Sequence, residues 1–198
     1  MSQANEFLRM IKLEDPVCFV NYDDEVMEIA SGRTEHYGLR RHLLRGIDHR
    51  QLGYWIGRPT QPKPLKLFNR LINQRYRLIV DHDILQTNRE FAGGLIEYLN
   101  ENPDSPVVWV SRRDPPIGLR VDNTLKVADY DIGDYEKVKR LTFPKGTIIL
   151  IDAGPTGTCL AWYWYFRSQR CTVMDVKGVW NVAPSSSAGQ ARVSQSVS

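Results

Sequence analysis

Two sets of residues in this sequence have types and spacing suited to chemistry, and they lie near opposite ends of the chain. The first is Asp23-Asp24-Glu25, which closely follows the apolar run Val17-Cys18-Phe19-Val20. Crowded carboxylates repel one another unless a cation or a hydrogen-bond network offsets their charge. A hard divalent metal with oxygen ligands, shared with a diphosphate, is one use for them. The other is an acidic first turn of a helix, where Asp and Glu are favoured. The second set is Gly154-Pro155-Thr156-Gly157-Thr158, after the apolar run Ile148-Ile149-Leu150-Ile151. Glycines let bare backbone approach a ligand, and Thr156 or Thr158 can cap a following helix. A strand, a small-residue turn and a helix also direct free N–H groups and a positive dipole end at one point, which suits a phosphate. An ordinary tight strand-to-helix connection has the same composition. The spacing fits neither the dinucleotide fingerprint nor a P-loop, because no Gly-Lys-Ser/Thr ends it.

Lesser candidates sit at the ends of two more apolar runs. His82, between Asp81 and Asp83, is either a base or a structural histidine. Arg112 and Arg113 follow Val107-Val108-Trp109-Val110 and either hold phosphates or pair with neighbouring acids. From Arg33 to Arg77 the chain is strongly basic, with Arg58 and Arg75 among its cations and no acid between Asp48 and Asp81. With Tyr54, Trp55, Phe68 and Tyr76 interleaved, this run suits a polyanion, or else forms a solvated face balanced by acids elsewhere.

The elements that must position these groups follow from periodicity. Apolar runs at 17–20, 77–80, 107–110, 147–152 and 171–176 read as strands buried on both faces. Between them, helical spacing appears at 1–14, 26–32, 65–73, 95–99 after a turn over 88–94, 131–141 and 159–170, with one or two short amphipathic helices within 33–58. Prolines at 59, 62 and 64 make 57–64 an extended loop, and 119–127 is ambiguous. Strands alternating with helices predict an α/β fold, a single Rossmann-like domain with a mainly parallel sheet flanked by helices. The domain is expected over 1–182, followed by a disordered Ser-rich tail over 183–198 that has too little apolar content to offset its ordering entropy.

At 198 residues, with 42% hydrophobic and 25% charged residues, the composition is that of a soluble globular protein. No stretch approaches the roughly 20 apolar residues of a membrane span, and no signal-peptide core is evident. A cytoplasmic protein is the expectation. Cys18, Cys159 and Cys171 lie in apolar contexts without metal-ligand spacing, so buried reduced thiols are expected.

With the two ends side by side, the sequence resembles the GT-D class of glycosyltransferases, bacterial sugar-nucleotide-dependent enzymes of the kind that glycosylate adhesins. Asp23 and Glu25 match its Asp-x-Glu motif after a strand. Gly154-Pro155-Thr156-Gly157-Thr158-Cys159-Leu160-Ala161 matches its late turn and helix, and Val173-Met174-Asp175 its closing strand. The resemblance spans roughly residues 17 to 180 and implies transfer of a sugar from a nucleotide-sugar donor. Such chemistry needs a stabilised leaving diphosphate, for which a divalent metal (Mn or Mg) on Asp23 and Glu25 with backbone N–H donors is suited. It implies Glu25 near the reacting centre and residues Gly154, Pro155, Thr156, Gly157, Thr158 and Asp175 around the donor. His82 and Asp83 become candidates for acceptor activation, and Arg58, Arg75, Arg112 and Arg113 for acceptor binding. The acceptor is expected to be a glycan, a glycoprotein or modified nucleic acid. The alternative is a Rossmann-like nucleotide or nucleic-acid binding module without catalysis.

Overall fold

A computed structural model of the chain describes residues 3–13, 16–33, 35–47, 54–72, 78–168 and 170–180. Its strands are β1 (Cys18–Asn21), β2 (Tyr54–Arg58), β3 (Leu78–Asp81), β4 (Val107–Val110), β5 (Asn123–Leu125), β6 (Ile148–Ile151) and β7 (Thr172–Asp175). They form one sheet in the order β3-β2-β1-β7-β6-β4-β5, and every pairing is parallel. Strands β1, β4, β6 and β7 are buried at every position, which is why they read as unbroken apolar runs. The edge strands β3 and β5 are short and partly exposed, as unpaired edges require.

The helices are α1 (Gln3–Lys12), α2 (Asp24–Ser31), α3 (Tyr37–Ile47), α4 (Pro62–Leu71), α5 (Arg89–Glu101), α6 (Ile132–Val138) and α7 (Gly154–Ser168). Alternate strand residues point to opposite faces and build two cores. Val20, Ile56, Val110, Ile149 and Val173 face α2, α3 and α7, where Met27, Leu43 and Leu160 meet them. Phe19, Trp55, Trp109, Leu150 and Met174 face α1 and α5, against Phe7, Ile11, Phe91 and Leu95. Helix α7 is apolar around most of its circumference because α3 and α6 cover the side turned away from the sheet.

Four expectations change. Residues 54–58, assigned to the basic helical segment and the loop after it, are strand β2, paired with both β1 and β3. Tyr54-Trp55-Ile56 is a buried run whose strand character is masked by the arginine-rich residues before it. Helix α4 begins at Pro62 rather than beyond Pro64: the first helical turn has no use for the missing N–H groups, so both prolines fit there. Helix α7 starts at Gly154 instead of Cys159, so the small-residue turn is the first turn of the helix itself. The ambiguous 119–127 segment contributes β5, and the expected turn over 88–94 is instead the start of α5, capped by the Asn88 side chain. The three cysteines are buried free thiols. The residues of the expected Ser-rich tail lie outside the described ones.

Candidate functional site

Strands β1 and β7 lie side by side at the middle of the sheet, and the chain leaves them toward opposite faces. After β1 it enters α2, whose Val26 and Met27 join the α7-side core; after β7 it turns so that Val176 and Val179 join the other core. Adjacent strand ends whose chains part in this way open a crevice, the usual ligand position of open α/β sheets. Asp23, Glu25, Asp175 and Lys177 all converge there.

Asp23 is the N-cap of α2: its Oδ1 accepts a hydrogen bond from Val26 N at 2.9 Å. Its Oδ2 accepts one from Lys177 Nζ at 2.9 Å, and Glu25 Oε2 accepts another from the same ammonium at 2.7 Å. The Asp23 side chain is 12% exposed, that of Lys177 32% and that of Glu25 44%, so the trio opens outward from a buried base. Burial alone would lower the Lys177 pKa, but the charge and hydrogen bond of Asp23, with those of Glu25, hold it well above its ordinary value. Asp24, between the two, turns away. It accepts from Gln61 N at 3.0 Å and Thr60 Oγ1 at 3.2 Å and so ties α2 to the start of α4.

Asp175 is 2% exposed at the base of the crevice. Burial, then the charge of Asp23, pushes its pKa up to about 7 despite Lys177 and Thr158. Thr158 Oγ1 lies 3.1 Å from Asp175 Oδ2, 3.2 Å from the Asn21 carbonyl and 3.4 Å from the Gly154 carbonyl. One hydroxyl carries one hydrogen, so Thr158 donates to one of these three oxygens at a time, the Asp175 carboxylate among them. Asn21 itself is buried, and its Oδ1 has no hydrogen-bond partner among the described residues. Gly57, opposite Asn21 in β2, leaves room for that amide: a Cβ there would stand 2.8 Å from Asn21 Oδ1.

The first turn of α7 faces protein. Thr156 N and Thr156 Oγ1 both donate to the Asp129 carbonyl at 3.0 Å, and Asp131 N donates to Thr156 Oγ1 at 3.0 Å. Gly157 N donates to the Ala153 carbonyl, and Pro155 has no N–H. The glycines serve packing. Gly154 has φ +46 and lies against Asp129, and a Cβ on Gly157 would stand 2.6 Å from Ile151 Cγ2 in β6. Of the residues expected around the donor, Asp175 and Thr158 lie together beneath the crevice, and Gly154, Pro155, Thr156 and Gly157 are equally buried, with the Thr156 and Gly157 N–H groups and the Thr156 hydroxyl engaged by the chain.

The remaining candidates flank this center. Arg113 Nη1 is 3.6 Å from Asp152 Oδ2 and Arg112 Nη2 is 3.8 Å from Asp129 Oδ2, past the ends of β4 and β6. Burial raises the Asp152 pKa; the Arg113 and Lys177 charges oppose that rise. On the other flank Arg58 Nε pairs with Asp81 Oδ1 at 2.8 Å. His82 donates its backbone N–H to the Arg58 carbonyl, and its Nδ1 is unpartnered among the described residues. His82 and Asp83 follow β3, two strands from β1, and the crevice carboxylates make their side-chain hydrogen bonds and ion pairs with other residues. Arg75 lies outside the described residues. The basic run resolves into two surfaces. Arg40, Arg41 and Arg45 line a cleft with Tyr37, Trp162 and Phe166, and Lys63, Lys66 and Arg70 line a smaller hollow beside α2.

Lys177 and Gln86 are the residues of this region that the sequence did not single out. Gln86 Nε2 donates to the Lys177 carbonyl at 2.7 Å, and Val179 N closes a turn on the Val176 carbonyl, with Gly178 at φ +76. The loop after β3 thus holds the Lys177 backbone through Gln86.

For a divalent ion the fit is poor. No group of three or more His, Cys, Asp and Glu is arranged to hold one among the described residues. Both carboxylates expected to bind it close on Lys177, and Asp175 is turned to Thr158. No described helix is long and apolar enough to cross a membrane.

No family profile matches the sequence, and no curated protein matches it significantly. Solved structures do share its fold. One, described as a new glycosyltransferase of the domain-of-unknown-function-1792 group from Streptococcus sanguinis, aligns with a TM-score of 0.64 at 13% identity, over 89% of this chain and 80% of that one. A second, described as showing that the highly conserved domain 1792 has a distinct glycosyltransferase fold, aligns with a TM-score of 0.59 at 15% identity, over 89% and 77%. A selenomethionine structure of the same domain aligns with a TM-score of 0.61 at 12% identity, again over 89% and 77%. At these identities the likeness is one of fold: this chain has the α/β architecture of the glycosyltransferase structures that the paired end motifs of its sequence resemble.

Proposed function

We propose that this chain is a glycosyltransferase that moves a sugar from a nucleotide-sugar donor to a glycan or glycoprotein acceptor. The observation that carries the reading is the convergence of Asp23, Glu25, Asp175 and Lys177 in the crevice between β1 and β7. The shared fold supports it. Transfer requires charge to be stabilised on a leaving diphosphate and at an oxocarbenium-like carbon, and preorganised charged groups in a partly water-excluded cleft supply that stabilisation. In this reading Glu25, the more exposed of the two carboxylates on Lys177, faces the reacting sugar. Asp23 fixes the start of α2 and one side of the ammonium, and Asp175 with Thr158 forms the floor beneath the donor. The acceptor approaches from the β2–β3 side, past Arg58 and His82, or from the β4 side, past Arg112 and Arg113.

The test is release of nucleoside diphosphate from a panel of nucleotide sugars offered with glycan acceptors. Glu25→Ala is expected to lower release by about 100-fold or more, the scale of removing a group that acts in the transition state. Unchanged release would remove Glu25 from the site. A second reading, a nucleic-acid binding module, draws on the cleft of Arg40, Arg41 and Arg45 with Tyr37 and Phe166. Salt-sensitive oligonucleotide binding that survives loss of both Asp23 and Glu25, with no sugar consumed, would favour it.

A further inference from the structure

A nucleotide-sugar site needs a cation for its phosphates, and two arrangements can provide one here: a divalent ion between Asp23 and Glu25, or a side-chain ammonium. We propose that the Lys177 ammonium is the resident cation of this crevice and takes the place of a divalent ion between the two carboxylates. The inference rests on the glycosyltransferase reading only for the identity of the ligand.

Three observations carry it. The first is the account of oxygens. Asp23 Oδ1 is spent on capping α2, and Asp23 Oδ2 and Glu25 Oε2 both accept from Lys177 Nζ. Of the four oxygens, only Glu25 Oε1 has no partner among the described residues, which is too few for a hard ion that prefers six or so oxygen ligands. The second concerns Asp175, the nearest further carboxyl. It is buried, with Oδ2 toward Thr158 and Oδ1 toward the Lys177 backbone N–H at 3.4 Å, so it does not complete a ligand set.

The third is the way Lys177 is held. Its carbonyl accepts from Gln86, its residue occupies a turn whose following position needs the positive φ of Gly178, and Gly178 packs on the Gln86 side chain. The side chain is thereby aimed at the carboxylates, while 32% of it stays exposed. An ammonium has three hydrogens, and two are given to Asp23 and Glu25. The third has no acceptor among the described residues and can meet a phosphate oxygen. A metal entering from solution would have to break two charge-assisted hydrogen bonds and displace a tethered group.

The experiment uses the full chain, Lys177→Met and the double variant Lys177→Met with Glu25→Gln, with circular dichroism as the check on folding. Manganese alone is titrated in and followed by electron paramagnetic resonance. Binding of the four ribonucleoside diphosphates is then measured with EDTA and with manganese. The native chain is expected to leave the manganese signal unchanged, and Lys177→Met to take up one ion per chain that the double variant loses. Diphosphate binding by the native chain is expected to be indifferent to EDTA and roughly 10- to 100-fold weaker in Lys177→Met, the scale of one charge-assisted contact. Uptake of one manganese per native chain, or loss of diphosphate binding in EDTA, overturns the proposal. If Lys177→Met does not fold, the native titration alone decides. If no diphosphate binds while the manganese results stand, the proposed function falls and the assignment of Lys177 remains.

Discussion

The first turn of α7 and the acids after β1 are both candidate ligand sites by sequence, and the fold uses them in opposite ways. The turn is glycine-rich and buried: the Thr156 and Gly157 amides and the Thr156 hydroxyl bond to Asp129, Ala153 and Asp131, and its missing Cβ atoms admit Ile151 and Asp129. The corner has ordinary side chains and keeps charge at the surface, with Glu25 and Lys177 partly exposed above a buried Asp175. Small residues can bring a helix onto a strand as readily as they bring backbone to a phosphate. Convergent charge of opposite sign is costly to gather and is the better mark of a site.

The two regions meet at Thr158 and Asp175, so the largest effect expected is on Asp175. Its folded-state pKa of about 7 lies above the ordinary 3.8. The folded chain therefore holds a proton that the unfolded chain has lost, and stability falls as pH rises from about 4 to about 7. At about 1.4 kcal/mol per pKa unit, the decline is on the order of 4 kcal/mol. Asp175→Asn, which keeps the shape and never ionises, is expected to remove that part of the slope and to be the more stable protein at pH 8. Urea midpoints of both proteins across pH 4 to 8 check this, and parallel profiles would show that Asp175 is not the buried acid described here.

Gly157 comes next. Gly157→Val places a branched side chain where even a Cβ would be 2.6 Å from Ile151 Cγ2, and overpacking of this kind costs about 3 kcal/mol. The expected outcome is a lower melting temperature, with nucleotide affinity unchanged in the fraction that remains folded. A variant of native stability that binds nucleotide poorly would instead make the turn a phosphate cradle and erase the contrast.

How much of this was legible varies for physical reasons. The central strands announce themselves, since a strand covered on both faces has to be apolar throughout, as in Val107-Val108-Trp109-Val110 and Ile148-Ile149-Leu150-Ile151. Strand β2 did not, because Tyr54-Trp55-Ile56 sits between arginine-rich residues and a Gly-Arg-Pro sequence that reads as loop. Strand β5, three residues at an edge, carries too little pattern to read. In the site, Asp23, Glu25 and Asp175 were visible because they end apolar runs. Lys177 was not, because what distinguishes it is its partner, 154 residues away in sequence. Thr156 was misread for the same reason: its hydroxyl was available in the sequence and is taken up by Asp129 and Asp131 in the fold.

The smallest effect expected tests where the corner ends. Asp24 lies between Asp23 and Glu25 in sequence, yet its carboxylate serves the start of α4 through Gln61 N and Thr60 Oγ1. Asp24→Ala removes an exposed cap-like contact, which is worth about 0.5–1 kcal/mol. It also removes a negative charge from a neighbourhood where Lys177 already balances only one of the two adjacent carboxylates, so nucleotide affinity should hold or rise slightly. A melting-temperature loss of a few degrees with diphosphate affinity intact keeps the functional group to Asp23, Glu25 and Lys177. Loss of diphosphate affinity as large as that caused by Lys177→Met would mean that all three consecutive acids act together, and the division of labour between the α2–α4 tie and the crevice would fail.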